Sequence, residues 1–197
     1  MPGARQDMRI ALQRLAFSQA GYFSAAQALE LGYSYQAQKY HVDHGNWLKV
    51  DRALFRLPGW PADSSDSYVR WSLWAAGRAV VSHETALAVH ELSDESPSRV
   101  HLTVPRDFYA RDDAVVLHAD ELSPADIESR GAWSVTSPMR TLLDVAGARA
   151  SQEVVDRAVA DALELRLLSR RQILRAADGA VDRAALRLER ALAEAAS

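Results

Sequence analysis

The spacing of apolar residues changes from a helical to a strand period within the first sixty residues. Between Arg5 and Ala20 apolar residues recur at helical spacing, which predicts a first helix. These residues are Ile10, Leu12, Leu15, Ala16 and Phe17. Ser24, followed three residues later by Gln27, is a capping-box pattern and predicts that a second helix begins at Ala25.

A third helix and a hairpin follow in the pattern. Ser34 can cap the helix, and Gly45 is placed to end it in the left-handed conformation. Alternating segments at 47–50 and 54–57 then flank Asp51-Arg52-Ala53, which predicts a short β-hairpin. Three helices followed by a basic hairpin predict a winged helix-turn-helix domain over residues 1–62.

The remaining residues, 63–197, are expected to form a second domain of mixed α+β class with a small sheet. Pro58–Pro61 and Ser64–Ser67 mark the boundary. Strands are predicted at 99–104, 114–118 and 133–135. Helices are predicted at 68–76 and 82–90, from the caps Ser123, Ser137, Ser151 and Ser169, and at about 183–195.

Composition narrows the class of protein. The 197 residues include 48% hydrophobic residues, enough to bury a core, and no cysteine, which excludes disulfides and cysteine metal sites. No apolar run approaches the roughly 20 residues that cross a bilayer, so we expect a cytoplasmic protein without a membrane partner. Residues 1–62 carry seven Lys+Arg against four Asp+Glu (+3), and residues 63–197 carry 16 against 22 (−6). A basic first domain on an acidic second one is expected if only the first touches phosphates.

The third helix presents the candidate base-reading surface. Gln36, Lys39, Tyr40 and Asp43 fall on one helical face, behind Ser34 and Tyr35 at the start of the helix. Gln can pair with adenine, Lys with guanine or phosphate, and Tyr with a backbone oxygen or a thymine methyl group. The alternative is a polar face that is merely solvated.

The hairpin supplies the candidate phosphate contacts Lys49, Arg52 and Arg56, which would position the protein without reading sequence. The same residues could instead serve only solubility. If these three and Lys39 contact about four phosphates, log K should fall with log salt with a slope of about −3.6.

Other candidate chemistries are explained better by structure. His83 and His90 lie seven apart, whereas a zinc-binding helix needs histidines four apart, so no metal site is expected. Ser137-Pro138 reads as a helix cap, with Arg140 and a nearby anion site as the alternative. The carboxylate pairs at 94–95, 112–113 and 120–121 are interpreted as solvated loop charges. No catalytic set or cofactor site is expected, and the chain is not predicted to be an enzyme.

Several segments in this order resemble AbiEi-type antitoxins, the transcriptional-regulator half of type IV toxin–antitoxin pairs. The matching segments are Gly21–Ser24, Gly45–Val50, Leu54–Leu57, Val81–Leu87, Val100–Pro105 and Val135–Asp144. The resemblance implies a repressor that binds double-stranded DNA at its own promoter, and a nucleotidyltransferase-like toxin as its partner. A homodimer on DNA is a further expectation. The rival hypotheses are an interaction protein with a degenerate winged helix that binds no DNA and, least favoured, a nuclease-related enzyme.

Overall fold

The computed structural model describes residues 2–94 and 97–195, with the backbone alone for residues 2–4. These residues form a mixed α+β structure with two small sheets. They divide into an N-terminal unit, which runs to Arg78 and includes Gly131–Trp133, and a C-terminal unit, formed by Ala79–Arg130 and the residues from Ser134 onward.

The N-terminal unit contains four helices and one three-stranded sheet among its described residues. In chain order they are α1 (Pro2–Ser18), β1 (Tyr22–Ser24), α2 (Ala25–Glu30), α3 (Tyr35–Asp43), β2 (Leu48–Asp51), β3 (Leu54–Arg56) and α4 (Asp66–Trp74). Strand β3 lies in the middle and pairs antiparallel with both β1 and β2. The strand β1 was not anticipated from the sequence.

Aromatic side chains from the sheet and the loop before it form the core of this unit. Phe23 is fully buried and meets Trp47 edge-on, with ring centroids 4.8 Å apart. Phe55 packs beside both rings, and Leu12 of α1 closes the cluster. Each such buried side chain contributes roughly 1.5–3 kcal/mol of hydrophobic stabilisation.

The caps predicted for α2 and α3 are confirmed. Ser24 and Gln27 form the reciprocal capping box at the start of α2, and the Ser34 hydroxyl accepts from the Ala37 amide at 3.2 Å. Gly45 follows α3 with φ +70°, a conformation that glycine adopts without strain. The local signals therefore determine where both short helices begin.

Helix α4 belongs to the N-terminal unit, so the boundary between the units follows Arg78. The boundary expected from composition lay at residue 62, before α4. The difference has a physical cause, because the Asp66 carboxylate of α4 pairs with Arg56 of β3 at 2.6 Å. A pairing between distant residues leaves no signal in local composition.

The C-terminal unit contains a five-stranded mixed sheet and five helices among its described residues. Its strands are β4 (Val80–Val81), β5 (Val100–Val104), β6 (Val115–Ala119), β7 (Ile127–Ser129) and β8 (Ser134–Thr136), in the order β6-β5-β4-β8-β7. Its helices are α5 (His83–Val89), α6 (Pro138–Gly147), α7 (Gln152–Glu164), α8 (Arg170–Asp178) and α9 (Asp182–Glu194). The pairs β4–β8 and β5–β6 are parallel, and the other two pairs are antiparallel.

The helix expected after Ser123 is wrong. Pro124–Asp126 form a single 3-10 turn, in which the Asp126 carboxylate accepts from the Ser123 amide at 2.9 Å, and the chain then enters β7. Antiparallel pairing of Ile127 in β7 with Thr136 in β8 fixes the extended conformation of these residues. Ser123 does cap the turn, but the pairing of β7 with β8 keeps the following residues extended, so no helix forms.

Candidate nucleic-acid interface

Helix α3 presents the predicted polar face to solvent. Ser34, Gln36 and Lys39 are exposed, and Tyr35 and Tyr40 retain 69% and 54% of their accessible surface. Tyrosine is enriched at interfaces because it offers both an apolar ring and a hydroxyl group. Ser34 at the N-cap and the four predicted residues within α3 are therefore all accessible to solvent.

The opposite face of α3 fixes the helix to its unit. Gln38 is 3% exposed, and its side-chain amide donates to the carbonyl oxygens of Ala25 at 3.0 Å and Tyr33 at 2.9 Å. Ala37 and Val42 pack against the aromatic core. These contacts hold the exposed face in a fixed orientation.

The positive charge of the exposed face is internally paired. The Lys39 ammonium lies 2.6 Å from the Asp43 carboxylate, with both side chains largely exposed. An exposed pair of this kind contributes only about 0.3–0.5 kcal/mol, so a phosphate or a guanine edge can compete for the lysine. Asp43 nevertheless lowers the positive potential of this face.

Tyr40 is held by its neighbour one turn on. Its ring stacks on the His44 imidazole with centroids 3.8 Å apart, and His44 Nδ1 donates to the Tyr40 carbonyl at 2.8 Å. This stacking restricts the tyrosine while leaving half of its surface accessible. A preorganised aromatic side chain loses less conformational entropy on binding.

The hairpin places Lys49 and Arg52 at the surface. Both side chains are exposed, and neither forms an ion pair within the described part of the chain. Ala53 turns the hairpin with φ +58°, and its carbonyl accepts from the Ala25 amide at 2.8 Å. The Asp51 carboxylate is partly neutralised by Arg70 at 3.4 Å.

Arg56 does not occupy the position expected of a phosphate contact. In the sheet register Lys49 lies opposite Phe55, whereas Arg56 lies opposite Tyr22, and successive strand residues point to opposite faces. Arg56 and Lys49 therefore project from different faces of the sheet. The Arg56 guanidinium pairs with Asp66 at 2.6 Å and lies 4.6 Å from the centre of the Tyr22 ring. Its side chain is only 18% exposed.

Two arginines that the sequence reasoning missed lie near α3. Arg5 and Arg9 are exposed on α1, and both line a groove that also contacts Tyr40. Their i, i+4 spacing on a helix was the available signal, since it places both side chains on one face. Nothing local in the sequence indicates that this face lies beside α3.

Three histidines of the C-terminal unit, His83, His101 and His118, form a contact cluster, whereas His90 donates from Nε2 to the Thr136 carbonyl at 2.7 Å. The rings of His83 and His118 stack 3.4 Å apart, and His118 Nε2 lies 3.2 Å from Nδ1 of His101, which contacts the Glu84 carboxylate at 2.7 Å. Burial, followed by neighbouring histidine charge, lowers the pKa of His83 to about 3 and that of His118 to about 4. Arg140 on α6 also disfavours the charged form of His83. No group of three or more His, Cys, Asp or Glu within 2–94 and 97–195 is arranged to hold a metal ion.

The alternative anion site at Ser137 is not supported by the geometry. Arg140 pairs with Asp144 at 2.7 Å, with Asp120 at 2.6 Å and with Asp126 at 3.8 Å, so carboxylates already surround the guanidinium. Burial raises the pKa of Asp144 to about 6 despite the arginine. Ser137 itself caps α6 through the Arg140 amide.

The three carboxylate pairs have separate surroundings. Asp94 pairs with Arg157 at 2.9 Å, while its neighbour Glu95 lies outside the described residues. Asp112 accepts from the Ala114 amide at 2.9 Å, and Asp120 pairs with Arg140. These contacts give the first member of each pair a structural role.

The comparisons with known proteins find a likeness of fold. No protein-family model matches the chain, and no curated protein matches it. The structure is similar to the crystal structure of RV2827C protein from Mycobacterium tuberculosis, with a TM-score of 0.64 and 14% sequence identity over 99% of this chain and 78% of that one. Within the described residues no helix has the length and apolar character needed to cross a membrane.

Proposed function

We propose that this protein is a DNA-binding transcriptional repressor whose N-terminal unit is a winged helix-turn-helix. Supporting this proposal, the elements run helix, strand, helix, helix, hairpin, and the hairpin closes onto the first strand in the order β1-β3-β2. In such domains the second helix of the helix-turn-helix motif lies in the major groove. That position corresponds here to α3.

The observation that carries the proposal is the exposed face of α3. Gln36 and Lys39 stand beside the two accessible tyrosines on a helix whose other face is fixed by buried contacts. Glutamine and lysine can read adenine and guanine edges, and tyrosine can contact backbone oxygens. Lys49 and Arg52 of the hairpin would contact phosphates beside this helix.

The test compares DNA from upstream of the protein's own gene with a scrambled duplex of equal length and composition. Gln36→Ala should reduce discrimination between the two by about 1–3 kcal/mol, because only this change removes a base contact. Arg52→Ala should weaken both duplexes equally. Equal uniform losses from both variants would mean that α3 does not read bases.

We further propose that the C-terminal unit binds a protein partner, a nucleotidyltransferase-like toxin that the repressor neutralises. Five large apolar side chains between residues 165 and 186 are exposed, among them Val181 at 72% and Leu186 at 66%. Exposed apolar residues concentrated in one segment favour an interaction surface. The −6 balance of residues 63–197 would also attract a basic partner.

Neutralisation is tested with the full-length chain. The double variant Lys49→Ala/Arg52→Ala should lose DNA binding yet still rescue cells that express a toxic product of the neighbouring gene. Leu186→Asp should bind DNA normally and fail to rescue, and Arg111→Ala, an exposed arginine of the same unit, is its matched control. If Lys49→Ala/Arg52→Ala fails to rescue the cells, protection depends on repression and not on a separate neutralising contact.

A further inference from the structure

The N-terminal unit contains a groove between α1 and the segment formed by α3 and the turn that follows it. Its volume is about 870 Å³. Pockets that hold small organic ligands span about 300–1,000 Å³, so the space is large enough for one. All of its lining residues belong to the N-terminal unit.

One wall of the groove is aromatic. It is lined by Tyr33, Tyr40, His41 and Trp47, and the His41 ring stacks on Trp47 with centroids 4.7 Å apart. Tyr33 meets both rings edge-on. Tyr33 and Trp47 are themselves buried, so the accessible part of this wall is formed by Tyr40 and His41. A flat, apolar ring is the chemical group that such a wall accommodates.

The opposite wall is cationic. Arg5 and Arg9 line it from successive turns of α1, and neither has an ion-pair partner among the described residues. No carboxylate lines the groove in the part of the chain that the structure describes. Residues four apart on a helix have their Cβ atoms about 5–6 Å apart, so two guanidinium groups can converge on one oxyanion.

We propose that this groove binds a small aromatic anion, with its phosphate or carboxylate between Arg5 and Arg9 and its ring against the wall formed by Tyr40 and His41. Both a mononucleotide and an aromatic carboxylate have this chemistry. The ligand would also be placed to influence α3, because Tyr40 belongs to both the groove and the exposed face of that helix. Only this regulatory consequence rests on the proposed function.

Binding is measured by isothermal titration calorimetry without DNA, so its outcome is independent of DNA recognition. The probes are AMP, adenosine, inorganic phosphate and 2-naphthoate. AMP or 2-naphthoate should bind with a dissociation constant below about 1 mM, and adenosine and phosphate at least about tenfold more weakly, because each provides only half of the contacts. The probe that binds identifies the source of the anion.

The double variant Arg5→Ala/Arg9→Ala should weaken binding of that probe at least about tenfold. Arg14→Ala is the matched control, because Arg14 is an exposed arginine of the same helix that does not line the groove. Tryptophan fluorescence during urea unfolding verifies that the variants remain folded. Failure of both aromatic anions to bind, phosphate binding as tight as that of AMP, or equal binding by the double variant would overturn the proposal.

Discussion

Replacing Arg56 by alanine is expected to destabilise the N-terminal unit while leaving the proposed DNA contacts in place. The guanidinium lies 2.6 Å from the Asp66 carboxylate, and the two side chains are only 18% and 16% exposed. Removing one partner of a buried pair costs about 3–5 kcal/mol, and the remaining access to water reduces this to about 2–3 kcal/mol. The lost contact with the Tyr22 ring adds about 0.5–1 kcal/mol.

The measurement is urea unfolding followed by tryptophan fluorescence. All five tryptophans lie in the N-terminal unit, so their emission reports on that unit. A loss of about 3 kcal/mol lowers the midpoint by about 1–3 M urea, given a typical slope of about 1–3 kcal/mol/M. The added substitution Asp66→Asn should recover part of the loss, because it removes the carboxylate left without a partner.

Arg52→Ala is the control for this experiment, because its side chain is exposed and the change should stay within about 0.5 kcal/mol. A structural role for Arg56 is contradicted if Arg56→Ala unfolds at the same midpoint as Arg52→Ala and weakens DNA binding with a smaller salt slope. That result would restore Arg56 as a phosphate contact.

Three further outcomes are expected. Asp43→Asn should tighten DNA binding about two- to fivefold in anisotropy titrations, because it frees Lys39 and removes a carboxylate from the exposed face; unchanged or weaker binding would contradict this. Ala53→Gly should raise the free energy of unfolding by about 0.5–1 kcal/mol in urea titrations, because φ +58° strains alanine but not glycine, and no gain would remove that account of the turn. The C-terminal unit should lose stability as pH falls from about 6.5 toward 3, because the folded pKa values of His83 and His118 are lowered to about 3 and about 4. In this range the unfolded chain binds more protons than the folded one, so each histidine lowers the free energy of unfolding by up to about 1.4 kcal/mol per pH unit. The raised pKa of Asp144 in α6 partly offsets this loss. The melting temperature measured by circular dichroism should fall with pH, and the fall should be smaller in His118→Gln. A melting temperature that does not change with pH would contradict this prediction.

The sequence predicted the features that depend on neighbouring residues. Ser24 and Ser34 begin α2 and α3 through hydrogen bonds to amides three residues further on. At these two positions the local sequence was sufficient, whereas at Ser123 the same kind of signal was not. The exposed and buried faces of α3 follow from helical spacing, which the order of residues contains directly.

The features that depend on distant residues could not be predicted in this way. Asp66 follows the Pro58–Pro61 segment and pairs with Arg56, so this basic residue of the hairpin belongs to an internal ion pair. Similarly, the spacing of Arg5 and Arg9 on α1 does not indicate that both residues line the groove beside α3. Strand β1 has three residues, and only its pairing with β3 makes it a strand.

The central claim, that α3 and the hairpin bind DNA, is tested most directly by affinity for upstream DNA across a salt series. With Arg56 internally paired, Lys39, Lys49 and Arg52 remain as the proposed phosphate contacts, and log K should fall with log salt with a slope of about −2.7. Lys49→Ala and Arg52→Ala should each reduce the slope by about 0.9, and Arg111→Ala should leave it unchanged. Absence of binding at low salt, or binding that does not change with salt, would contradict the claim.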